Sequence, residues 1–289
     1  MRAFDQASRT SGIILVVVSA IVFSTAGVFT KSVTTAAWGV IFWRGLAATG
    51  FTIGYLLLRR QLHVEIRAFG KPALFVTVMM AAGTSAFIPA FKLSSVANVA
   101  LIYAAAPFIA AGLSWLCIKE APGGRVMMAS CAAFCGVLII LSGSVGGGAL
   151  IGDLLALFMT LMMAGVMVVY RMYPATTAAL PAALSSLILL PVAVIFGDPF
   201  AAPVGELPVL IAFGLVFAVA SVTLSEGARR LPSAETALLS TLEMPLAPIL
   251  AFAVLAEMPK PQVLAGGAVI FVAVVWSQRR KPAAKGAKA

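Results

Sequence analysis

Two residues in this sequence stand out for the chemistry they offer against the company they keep. Arg44 and Glu243 each interrupt a long apolar run. An arginine presents a fork of donors that suits a carboxylate, and a glutamate suits an ammonium group or a transferable proton. Trp43 and Tyr103 add aromatic surface, and the tyrosine adds a hydroxyl. Asn98, Ser240 and Thr241 supply small polar groups, and Pro107 and Pro245 sit nearby where a helix would be kinked. Together these residues suit a zwitterion better than a sugar, which needs many hydroxyl partners, or a polyphosphate, which needs several cations.

The elements that position them follow from composition. Of the 289 residues, 62% are apolar and 10% charged, against about 45–50% and about 25% in a soluble domain. The apolar residues come in runs of about 17–24, long enough for a hydrocarbon core of about 30 Å. The runs place helical spans at 12–31, 36–58, 72–92, 95–117, 125–142, 151–171, 176–197, 207–228, 233–256 and 262–277. The expected fold is an all-α integral membrane protein of ten transmembrane helices. The longest loop, Arg59 to Lys71, has no room for a soluble domain. Arg2 and Arg9 before the first run resemble a signal peptide, but the run is long and no small-residue cleavage site follows, so it reads as a retained helix.

The net charge of +10 is distributed, and its placement decides its meaning. Arg44 aside, every Lys and Arg except Lys31, Lys92 and Lys260 falls on one side of the proposed spans. The positive-inside rule puts that side, and both termini, in the cytoplasm of a cell inner membrane. The basic charge therefore speaks for topology and anionic lipid rather than nucleic acid. The three cysteines, Cys117, Cys131 and Cys135, read as small packing residues, and with His63 alone in a loop no metal site is expected.

The chain also repeats itself. Gly12 to Lys31 matches Gly152 to Arg171, and Lys92-Leu93-Ser94-Ser95 before Pro107 matches Arg230-Leu231-Pro232-Ser233 before Pro245. Glu120-Ala121-Pro122 matches Glu257-Met258-Pro259, and Gly136-Val137-Leu138 matches Gly267-Ala268-Val269. The halves are 1–145 and 146–289, the second ending in a basic tail, and Ser142 to Gly148 links them. Five spans per half make the second half enter the membrane upside down. Inverted repeats of this kind mark transporters, with the substrate near the midplane between halves. Pro89, Pro107, Pro181, Pro191, Pro245 and Pro248 all fall within spans. Proline is common in membrane helices, but Pro107 and Pro245 occupy matching repeat positions, which marks them as functional kinks.

Depth can be read from helical rise. At about 1.5 Å per residue, Arg44 lies roughly 12 Å below the outer face and Glu243 roughly 15 Å above the inner one. They share a level, so they can pair. A clasp that only holds helices together and a contact with a charged substrate or proton both remain open, and Arg44 can also snorkel outward. Most other acids avoid the cost of burial, about 2.5–3.5 kcal/mol each: Asp153, Asp198, Glu206 and Glu257 fall at outer ends, Glu65 and Glu120 at inner ends. Trp38, Trp115, Tyr55, Tyr173 and Trp276 sit where interface belts are expected.

These features resemble the drug/metabolite transporter superfamily in its bacterial ten-span form of two EamA-type repeats. The resemblance covers nearly the whole chain. It is carried by Trp43-Arg44-Gly45-Leu46-Ala47-Ala48, by Lys92-Leu93-Ser94-Ser95, by Pro107, by Leu242-Glu243-Met244-Pro245 and by Glu257. Family members usually place the glutamate directly before the proline, whereas here Met244 intervenes. Overall likeness points within the superfamily to the YddG-like aromatic amino-acid exporters. The resemblance implies secondary transport of a small-molecule substrate, with membrane lipid as the other partner and no cofactor. A monomer is compatible with this design.

Competing classes are weaker. A pump needs a G-x-x-x-x-G-K-[ST] loop, which is missing, and an intramembrane enzyme needs a nucleophile with a base or H-E-x-x-H, which one histidine cannot supply. A channel or scaffold remains as a third class. The leading expectation is export of aromatic or apolar amino acids by alternating access. The runner-up is export of lipophilic cations, with Glu243 as the attraction and Arg44 structural.

Overall fold

The computed structural model describes residues 2–119, 123–144, 148–173, 175–228, 230, 239–240 and 242–278. Every regular element among them is helical. The helices are α1 (Arg2–Ser24), α2 (Ala26–Lys31), α3 (Ala37–Leu58), α4 (Leu62–Arg67), α5 (Lys71–Leu93), α6 (Val96–Tyr103), α7 (Ala106–Ile118), α8 (Gly124–Ser142), α9 (Leu150–Met172), α10 (Ala179–Phe196), α11 (Leu207–Ala228), α12 (Glu243–Leu255) and α13 (Pro261–Gln278). Eight helical segments are long and apolar enough to cross a membrane. Two shorter apolar helices, Pro245–Leu255 and Pro261–Trp276, stand where the ninth and tenth spans are expected. The first residues of that ninth span, 233–238, lie outside the described residues. Large apolar side chains such as Leu58, Ile195, Phe196 and Val272 point outward, as a lipid solvent requires.

The halves are interleaved. The most extensive helix pairings, α5 with α9, α8 with α13, α3 with α10 and α1 with α11, each join a first-half helix to a second-half one. The pattern obeys the inversion: span one against span eight is mirrored by span six against span three. Where a helix meets its own counterpart, backbones come close. A Cβ on Gly136 would lie 2.7 Å from the Gly266 carbonyl oxygen, and one on Gly266 would lie 2.5 Å from that of Gly136. The partner is thus one residue before the Gly267 matched in sequence.

Two spans expected to be continuous are interrupted, and a third changes hydrogen bonding at its proline. In span one, Thr25 N donates to Val22 O at 3.2 Å, and the Ser24 and Thr25 hydroxyls bond back to Ile21 O and Val22 O, each at 2.6 Å. In span four, Ala105 N donates to Ile102 O at 3.1 Å and Phe108 N to Ala105 O at 3.0 Å, while Pro107 has no N–H to offer Tyr103 O. In span nine, Leu242 N donates to Leu239 O at 3.2 Å, just before Pro245 in the first turn of α12. Each is a tightened three-residue turn within a span, a common mark of a hinge. By contrast Pro89, Pro191 and Pro248 lie inside unbroken helices, and Pro181 in the first turn of α10.

Two smaller expectations change. The Arg59–Lys71 loop contains a short helix, α4. All three cysteines are exposed on the outside of the bundle instead of packed within it.

Candidate substrate-binding site

The three tightened turns converge. Ser24 and Gly27 flank the turn of span one, Tyr103 closes α6, and Glu243 opens α12; all line one small chamber together with Phe23, Phe87 and Phe91. The chamber is aromatic-walled and carries one carboxylate. No hydrogen bond or ion pair among the described residues reaches the Glu243 side chain. Its position at the first residue of α12 places it in the positive field of the helix N-terminus, which partly offsets the burial.

Arg44 does not meet Glu243. Its side chain is 1% exposed, and its guanidinium carbon lies 4.6 Å from the Phe217 ring centroid and 5.3 Å from that of Phe213, both on α11. Its Nε has no hydrogen-bond partner. Stacking on the two rings also rules out the snorkelled arrangement. The Arg44 guanidinium points at α11, whereas Glu243 lines the chamber.

Other candidate residues are committed elsewhere. Trp43 Nε1 donates to Pro199 O at 2.8 Å and the ring packs edge-on against Phe42 and Phe200, stapling α3 to the loop before α11. Asn98 Nδ2 donates to both oxygens of Asp153, at 2.9 and 3.1 Å, and its Oδ1 accepts from Ser95 Oγ at 2.8 Å. Asp153 also accepts from the Ser94 and Ser144 hydroxyls. Asp153 is fully buried, contrary to its expected place at a water-facing end, and this ring of donors is what replaces its hydration. Ser240 lies within the tightened turn of span nine and outside the chamber lining, and Thr241 lies outside the described residues.

A second space opens toward the arginine-rich end. This cleft, with about 660 Å³ of empty volume continuous with the exterior, runs between α3, α4, α10 and α11. Thr52, Tyr55, Ser186, Glu65 and Glu226 give it polar walls, and Phe217 lines it as well. Phe217 packs edge-on to Phe23 with centroids 5.7 Å apart, and Phe23 lines the chamber. These two rings, which sequence reasoning did not single out, meet where cleft and chamber adjoin, Phe217 on the cleft side and Phe23 on the chamber side.

The opposite end is stitched shut. Lys31 Nζ meets Glu257 Oε2 at 2.9 Å, and Glu257 Oε1 accepts from Val96 N at 2.7 Å at the start of α6. Glu206 accepts from the amide and hydroxyl of both Thr34 and Thr35, and Lys92 donates to Val33 O. The sequence places Lys31 and Glu257 at the same outer end but does not pair them.

A small chamber at helix interruptions, a cleft at one end and a polar closure at the other are the features a solute-passing protein needs. The model of the EamA-like transporter family matches residues 10–142 and again residues 150–278. The chain belongs to the EamA-like transporter family. Two matches of one family model in a single chain are the repeat seen as interleaved halves. This EamA-like protein is accordingly a multi-pass membrane transporter. A crystal structure of a protein aligns with 92% of this chain and 97% of its own at a TM-score of 0.68 and 14% identity, a likeness of fold alone. No curated protein matches the sequence.

Proposed function

We propose that this transporter is a secondary carrier that exports amino acids with aromatic or other apolar side chains, and related small metabolites, by alternating access. The observation that carries this reading is the Glu243 carboxylate, without a hydrogen-bond or ion-pair partner among the described residues, beside aromatic rings in a chamber where three tightened turns meet. An ammonium group satisfies the carboxylate, and the rings accept both that cation and an apolar side chain. With small apolar groups elsewhere, such a chamber sorts by size and polarity, consistent with a YddG-like range of aromatic amino acids.

The positive-inside rule makes the arginine-rich end cytoplasmic, with both termini on that side of the inner membrane. The cleft then faces the cytoplasm, where an exporter loads, while the Lys31–Glu257 side is closed. The inverted repeat provides two related packings, and exchanging them opens the other side.

A second reading is favoured by one observation. Arg44 stacks on Phe217 and does not line the chamber, where Glu243 is the one charged lining residue beside four aromatic rings. That set also suits a lipophilic cation. Counterflow of labelled phenylalanine, threonine and a quaternary ammonium dye in vesicles containing the purified protein separates the readings. Saturable amino-acid counterflow is expected, and dye movement without it assigns the carrier to lipophilic cations.

A further inference from the structure

Arg44 is a cation with too few partners. It is fully buried, its Nε has no acceptor, and no carboxylate among the described residues is in ion-pair contact with it. A guanidinium keeps its charge in a protein interior and carries five donors. Two aromatic faces return part of the lost hydration but accept none of those hydrogen bonds in the plane of the group. Purely structural arginines in membranes are paired with carboxylates or backbone carbonyls. The group that would complete Arg44 is a planar anion able to take two parallel N–H donors, and that is a carboxylate.

A route for such an anion exists. Phe217 touches three things at once: its ring lies 4.6 Å from the Arg44 guanidinium carbon, it lines the cleft, and it meets Phe23 of the Glu243 chamber. Neighbouring lining residues of the cleft, Ala48 on α3 and Ser186 on α10, lie on the helices that hold Arg44 and contact Gly45. Turning the Phe217 ring joins the cleft to the guanidinium. We propose that Arg44 is a latent site for the substrate carboxylate, that Phe217 is the plug over it, and that the incoming carboxylate replaces the ring. The ring is then free to open the passage past Phe23 toward Glu243, so a solute carrying both charges opens the path more readily than one carrying an ammonium alone. This rests on the amino-acid reading above and supplies its missing half.

The test uses the purified full chain in proteoliposomes. Counterflow is measured with phenylalanine and with phenylalaninamide, which lacks the carboxylate. Binding is measured with 3-phenylpropanoate, which lacks the ammonium. The wild type is expected to prefer phenylalanine to its amide by about tenfold or more, the scale of a charge-assisted hydrogen bond. Arg44→Gln brings that ratio close to one, and Arg44→Lys keeps part of it, because charge remains and the fork is lost. Phe217→Ala tightens 3-phenylpropanoate binding several-fold, because no ring has to be displaced, and this variant decides if Arg44→Gln does not fold. Equal movement of acid and amide by the wild type, or unchanged 3-phenylpropanoate binding in folded Phe217→Ala, overturns the inference. If phenylalanine is not moved but 3-phenylpropanoate binds in a manner weakened in folded Arg44→Lys and tightened in folded Phe217→Ala, the carboxylate site stands and the amino-acid reading falls.

Discussion

The spans containing Pro107 and Pro245 share a backbone device and differ in what they carry. Both follow a turn in which an amide bonds three residues back, and both bring that turn to the central chamber. On the first-half side the turn presents Tyr103. On the second-half side it presents Glu243, two residues before Pro245, where the position two before Pro107 holds Ala105. The two repeats thus share a backbone turn and differ in charge. One carboxylate on one repeat makes the chemistry of the site lopsided although the two turns match.

The largest expected effect tests the inversion itself. Lys31 and Arg171 are matched repeat positions at the ends of spans one and six. Cysteines there, in an otherwise cysteine-free chain, should differ completely: the one at 31 reacts with an impermeant thiol reagent from outside intact cells, and the one at 171 does not. Lys92 and Lys260 should follow Lys31, and Arg67 should follow Arg171. Equal labelling of the two matched positions would remove the inversion and with it the two-state packing.

Next in size is the charge that breaks the symmetry. Glu243→Gln keeps shape and removes the anion. Leaving a substrate ammonium without its buried partner costs about 2 kcal/mol or more, roughly a thirtyfold fall in transport efficiency. Tyr103→Phe should lose far less, since the ring remains. Full counterflow in Glu243→Gln would mean the chamber reads its substrate through apolar contacts alone.

The two prolines should behave alike. Replacing either by alanine restores an N–H, and one regained hydrogen bond of about 1 kcal/mol biases the kinked turn toward a straight helix. Pro107→Ala and Pro245→Ala should each slow turnover roughly fivefold with expression kept. Pro89→Ala, inside an unbroken helix, should not. A strong effect at only one of the pair would make the two turns mechanically unequal.

Much of this was legible before any coordinates, and the illegible part has a single geometric cause. Span positions follow from hydropathy, and of six prolines in spans the repeat singled out the two that adjoin tightened turns. The depths of Arg44, Tyr103 and Glu243 follow from helical rise. What rise does not give is rotation about the helix axis. Arg44 points to α11 and Glu243 to the chamber at the turn of span one, so equal depth did not become contact. Trp43, next to Arg44 in sequence and about 100° round the helix, reaches the Pro199 loop instead. For Asn98 the sequence leaves both cavity lining and a bond between helices open, because its partner, Asp153, belongs to the other half; the two meet because Gly152 lets α9 approach within 2.7 Å of the Ser94 amide for a would-be Cβ.

That lock yields a smaller effect on transport and a clear one on stability. Asp153→Asn removes the charge that three donor groups are arranged around and places an amide among them. A charge-assisted hydrogen bond contributes about 1.5–3 kcal/mol, so purified Asp153→Asn should melt several degrees lower. Because α6 is pinned at this point, its start should be the less mobile of the two kinked spans. An unchanged melting temperature would show that the network carries no weight.

The smallest expected effect is the most discriminating. Arg44 and Glu243 were candidates for a clasp, and a clasp makes single substitutions less than additive in combination. The structure separates them: the guanidinium stacks on Phe213 and Phe217, and the carboxylate lines a chamber on the far side of the Phe23–Phe217 pair. Residues without shared partners add to within about 0.3–0.5 kcal/mol. Stability of Arg44→Gln, Glu243→Gln and the double variant, measured by thermal melting without substrate, should therefore be additive within that margin. The same cycle run on phenylalanine transport should not be, because one solute bridging both charges couples them through itself. Additive stability with coupled transport places the link between the two residues in the substrate. Coupling already present in the empty protein would place it in the fold and return Arg44 to a structural role.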